Sequence, residues 1–147
     1  MHHVKKTLKV ASIAAAVLLA TACSSMGGMG GMNEKSTPAL TGAQEVPPVS
    51  TTASGRSTIA VASDRSVSGS VIVSGIEATA AHIHQGAMGM NGPVIVPLAK
   101  TSASTFSVPA GAKLTEAQYA ALQEGKLYIN VHSAAHPGGE IRLQMKP

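Results

Sequence analysis

The chain has 147 residues, of which 11 are Lys or Arg and 7 are Asp or Glu, for a formal net charge of +4 with histidine neutral. Three of the basic residues, Lys5, Lys6 and Lys9, fall in an N-terminal segment that reads as an export signal, which leaves 8 basic residues (11 less these 3) against 7 acidic ones. With no Trp, one Phe and two Tyr, neither a basic patch nor a stacking platform remains, and nucleic-acid binding is excluded as a reading.

In chain order, Met1–Ala22 comes first: a basic start, then the apolar run 11–20, too short to span a bilayer. His2 and His3 belong to this segment and count toward no site. Cys23, the only cysteine, follows Leu19-Ala-Thr-Ala22, and small residues ending in Ala-Cys resemble a bacterial lipoprotein signal. Ala20 stands where leucine is usual, and Ala20-x-Ala22 also fits ordinary signal-peptidase cleavage at the same bond. An exported cysteine without a partner favours lipidation of Cys23. Ser24 rather than Asp after it resembles Gram-negative lipoproteins sent to the outer membrane. The expected location is therefore periplasm-facing, with the membrane as partner through the lipid; a protein partner is not indicated. Residues 23–38 read as a tether, in which Met26, Met29 and Met32 recur among glycines. A linker that happens to contain methionine is one reading, and a soft thioether site for Cu(I) is the other.

Residues 39–147 are enough for one domain with a single two-layer core. Its texture is β: 55–62, 66–74, 79–84, 94–99, 105–108, 126–132 and 140–145 are short segments of alternating or β-branched residues, separated by Gly, Pro, Asn or Ser. Val67, Val71 and Val73 are expected inward, and Ile129 and Val131 opposite to Tyr128, Asn130 and His132. One helix is expected at 116–124, with Thr115 and Gln118 as a capping box, Leu114 against Tyr119 as a staple and Gly125 as its stop. These elements predict an all-β antiparallel sandwich or barrel, immunoglobulin-like or superoxide-dismutase-like, with one short helix.

The chemistry is concentrated in two clusters, His82-Ile-His84 and His132-Ser-Ala-Ala-His136. Strand residues two apart share a face, so His82 and His84 project together, about 6–7 Å apart at their bases. That spacing lets both imidazoles lean onto one ion with bonds of about 2 Å. Pro137 and two glycines keep the second pair off a helix. His82, His84, His132 and His136 are the candidate metal ligands, with Met88 and Met90 as auxiliary donors. The methionines favour copper over zinc. The plain alternative is that the histidines cap strand ends. No paired carboxylates, phosphate loop or triad geometry is indicated. Arg142, alternating with Glu140 and Gln144, reads as part of a solvated face.

Three separated motifs, Leu40-Thr-Gly-Ala-Gln-Glu-Val-Pro-Pro-Val49, Ala81-His-Ile-His-Gln-Gly86 with Gly92-Pro-Val-Ile-Val-Pro97, and Leu127–His132 with Pro137-Gly-Gly-Glu-Ile-Arg142, resemble the CHRD domain. That domain is named from chordin, where its repeats belong to an extracellular antagonist of growth factors, and it is found in exported microbial proteins. The resemblance implies an all-β barrel or immunoglobulin-like domain. A fainter likeness runs to copper–zinc superoxide dismutase, on which His82, His84 and His132 would stand for copper ligands. Nothing here matches its bridging histidine or zinc-binding aspartate, since Asp64 is the only aspartate, and one cysteine forbids its disulfide. The expected function is an envelope lipoprotein that binds copper for storage, buffering or delivery. A metal-free structural or interaction module is the alternative, and a copper oxidoreductase the third; enzymatic activity is not the favoured reading.

Overall fold

A computed structural model describes residues 39–147. The export signal, Cys23 and the tether methionines lie outside the described residues. Eleven strands and one α-helix follow one another: β1 Ala39–Thr41, β2 Ser54–Ser57, β3 Ala60–Val61, β4 Val67–Ser68, β5 Ser70–Ser74, β6 Ala78–Gln85, β7 Val94–Pro97, β8 Ala99–Lys100, β9 Thr105–Ser107, α1 Glu116–Gln123, β10 Leu127–Ser133 and β11 Ile141–Gln144. Nine form one antiparallel sheet in the order β7-β6-β10-β11-β1-β2-β5-β9-β8, and β3 pairs with β4.

The two ends of this sheet are one passage of chain. Only Leu98 separates β7, which pairs with β6, from β8, which pairs with β9. The Leu98 N–H still donates to the Ala81 carbonyl at 3.0 Å, and Lys100 Nζ donates to that of Ala78 at 2.6 Å. A strand that changes partner midway brings the sheet round into a nearly closed barrel and leaves little free edge. The all-β expectation is met.

Val, Ile, Leu and Ala fill the inside, with Phe106 the sole Phe or Trp: Leu40, Val71, Ala81, Ile83, Leu127, Ile129, Val131 and Ile141 are all essentially inaccessible. The expected strands 55–62 and 66–74 each break once. Gly69 sits at φ +104°, where a Cβ would press on the Ile59 Cα at 2.8 Å. Glycine alone permits that approach, and across the break Val67 and Val71 both stay inside.

Helix α1 forms as its signals require. The Thr115 hydroxyl accepts from the Gln118 N–H at 3.2 Å, while the Gln118 side chain accepts from the Thr115 N–H at 2.9 Å. Leu114, Ala121 and Leu122 turn into the core cluster. No helix among the described residues is long and apolar enough to cross a membrane.

The outer face corrects one expectation. Every residue of β10 is buried, on both sides of the strand. Arg142 is not on a solvated face: it is 1% exposed, and Glu140 and Gln144 are buried beside it. The cause is a cover of loops. The loop between β6 and β7 lies over β11, so that Arg142 Nη1 donates to Met90 O at 3.1 Å and Nη2 to Ala87 O at 3.2 Å. Its guanidinium stacks on Tyr128, 3.5 Å from the ring centre.

Candidate metal centre

Under that cover, strand register assembles the histidines. His84 is the antiparallel partner of Tyr128, His82 that of Asn130, and His132 lies one step further along β10. Side chains of one face and neighbouring strands meet at such spacings. The ring centres of His82 and His132 are 4.8 Å apart, and those of His82 and His84 are 5.6 Å apart. One ring nitrogen from each of the three lies within 4.8 Å of the others.

Two backbone carbonyls fix the rings. His84 Nδ1 donates to the Gly92 carbonyl at 2.8 Å, and His132 Nδ1 donates to that of Pro137 at 3.0 Å. Both Nε2 atoms are then unprotonated. His132 Nε2 takes a hydrogen bond from His82 Nδ1 at 2.9 Å, whereas His84 Nε2 is buried with no partner. Carbonyls that hold one imidazole nitrogen and present the other are the usual outer support of histidine metal ligands. Glycine serves this purpose at position 92, because a Cβ there would run into the Gln85 carbonyl and push the loop off β6. Tyr128 stacks flat on His84, with 4.8 Å between centres and 10° between planes, and its hydroxyl accepts from the Gly92 N–H at 3.1 Å.

Burial pushes all three histidines below the ordinary imidazole range. For His82 the neighbouring His132 and His84 add to this; for His84 the Gly92 carbonyl and the Asn130 side chain oppose it; for His132 the Pro137 carbonyl does. At neutral pH the rings are uncharged, the form that donates to a metal. Three converging neutral imidazoles, one with an orphaned lone pair, fit a transition-metal ion.

The other sequence candidates are placed elsewhere. His136 lies outside the group of three; it sits half-buried in the turn after β10, its carbonyl accepting from the Gly139 N–H at 3.1 Å. Proline and two glycines fold that turn back over β10, which delivers the Pro137 carbonyl to His132 rather than the His136 ring to the cluster. Met88 and Met90 are 76% and 62% exposed on the covering loop. Sequence reading missed Asn130 and Glu45, both buried. Asn130 gives a signal, a polar residue alternating with His132 in an otherwise apolar strand. Glu45 gives one too, as a lone charge between Gln44 and the apolar run Val46-Pro-Pro-Val49.

A scan against family models matches the CHRD domain over residues 37–145. No curated protein and no solved structure matched the chain.

Proposed function

The chain belongs to the CHRD domain family, and on that premise we propose that its domain binds one transition-metal ion on His82, His84 and His132, for storage, buffering or delivery. The observation that carries this reading is that one ring nitrogen from each of the three lies within 4.8 Å of the others, beside a His84 Nε2 that is buried and unpartnered. Copper is preferred to zinc, because imidazole sites hold Cu(II) more tightly than Zn(II) at equal availability. Export and acylation at Cys23 would place the domain at the outer membrane, facing the periplasm. Support for that lies in the apolar run 11–20 and the Ala22-Cys23 junction. Mass spectrometry of the mature N-terminus tests it: an acylated Cys23 is expected, and an unmodified Cys23 or a retained leader would refute it.

The site is tested by titration. One equivalent of Cu(II) should bind, with nitrogen couplings in its electron paramagnetic resonance spectrum. His84→Ala should lower affinity at least about tenfold, since even outer-support changes cost about 10–100-fold. Binding should weaken as pH falls through the lowered values of the three rings, where protons compete for them. Undiminished binding by the His82→Ala/His84→Ala protein would sink the proposal. It would leave the histidines as structural residues, a reading supported by the 2.9 Å His82–His132 hydrogen bond.

A further inference from the structure

Asn130 occupies the middle of β10, paired with His82 on one side and with Arg142 on the other. It is 2% exposed, and its Oδ1 has no hydrogen-bond partner. The orientation of the amide is set by its nitrogen. Nδ2 donates to the Gly138 carbonyl at 3.4 Å and faces the Glu45 carboxyl across Gly139, where a Cβ would meet Nδ2 at 2.6 Å and Glu45 Oε1 at 2.7 Å. Reversing the amide would set its oxygen against the Gly138 carbonyl, acceptor against acceptor. With the nitrogen held there, the oxygen turns away from Gly138 and Glu45, and across the strands Asn130 pairs with His82 and lies next to the Tyr128–His84 pair.

Asn130 Oδ1 and His84 Nε2 are thus two buried acceptors with lone pairs and no donor between them. His84 cannot supply one, because its proton is on Nδ1 at Gly92. Buried acceptors without partners are rare in native structures, and a shared cation satisfies both at once. We propose that the side-chain oxygen of Asn130 is the fourth donor of the metal centre, which makes the set three imidazole nitrogens and one amide oxygen. This rests on the three-histidine reading above. It also carries a consequence for the ion: a hard oxygen donor suits a divalent cation and does little for Cu(I), which prefers soft sulfur. The soft donors near the site, Met88 and Met90, face solvent. The centre therefore selects Cu(II) or Zn(II) over Cu(I).

The test uses the protein labelled with carbon-13 at the asparagine side-chain carbonyl and loaded with one equivalent of Cu(II). Only Asn33, Asn91 and Asn130 carry the label. Electron–nuclear double resonance should show a carbon-13 coupling beside the imidazole nitrogens, absent in Asn130→Leu. That variant should lose about tenfold in Cu(II) affinity and keep its Cu(I) affinity, measured against a Cu(I) chelator. Imidazole couplings without a carbon-13 coupling would overturn the fourth donor and leave the histidine site standing. The same holds if Asn130→Leu changes both oxidation states equally. Absence of imidazole couplings would overturn both. If Asn130→Leu does not fold, the labelled parent protein decides alone.

Discussion

Glu45 shows how one residue can carry only a faint signal in sequence and be consequential in the fold. Its carboxyl is 4% exposed beneath the turn at Gly139, with Oε1 unpartnered. Burial pushes its pKa up to about 7, against the pull of the Arg142 charge and a backbone hydrogen bond at Val46. The unfolded chain ionises this group near 4.5. Between 4.5 and 7 the folded state therefore binds more protons than the unfolded state, and stability from this group falls as pH rises through that window. Glu45→Gln removes the buried charge. It should raise the unfolding midpoint at pH 8 and change it little at pH 4.5; an equal shift at both would place the carboxyl in its ordinary range. The three histidines act in the opposite sense: their neutral burial supports the fold fully above about pH 6.5 and less as pH falls through their lowered values. Sequence alternation placed Arg142, Glu140 and Gln144 on the outer face, which is where they lie. What alternation cannot show is a loop drawn over that face.

Elements were more legible than residues, because their signals are local. The capping box at Thr115 and Gln118, the stop at Gly125 and the acidic first turn at Glu116 lie within eleven residues, and the helix runs Glu116–Gln123. Thr115→Ala should cost about 0.5–2 kcal/mol, read as a lowered denaturation midpoint, while Cu(II) binding at the histidines stays unchanged. An unchanged midpoint would mean that the cap contributes nothing. The strand assignments hold for the same local reason, with Val67, Val71 and Val73 inside as their alternation required. Strand β1 was missed. Its three residues show no alternation, and it exists because β2 and β11 flank it on both sides. The division of strands at Gly69 was equally hidden, since it follows from contact with Ile59 across the barrel wall. His82, His84 and His132 were legible as one cluster through strand periodicity. The place of Asn130 beside them was less so, because its amide is oriented only once Gly138 holds it.

At the scale of the whole molecule, core and site occupy opposite faces of the same strands. Strand β6 sends Ala81 and Ile83 inward and His82 and His84 outward; β10 sends Leu127, Ile129 and Val131 inward and Tyr128, Asn130 and His132 outward. None of the three histidines belongs to the hydrophobic cluster. The barrel should therefore fold cooperatively without metal, unlike small domains whose only core is the ion. On the proposed function, a metal would then act as a ligand of the native state alone. At a free concentration one hundred times the dissociation constant it adds about 2.7 kcal/mol. For a domain of this size each kcal/mol shifts the midpoint by about 4–8 °C, so Cu(II) should raise it by about 10–20 °C. Replacing His84 with alanine should lower the metal-free midpoint, since it removes a buried ring, its hydrogen bond to Gly92 and its stack on Tyr128, and should abolish most of the rise. Calorimetry with and without Cu(II) checks both statements. If the metal-free protein shows no cooperative transition, the barrel depends on its ion, and the separation of core from site argued from β6 and β10 is wrong.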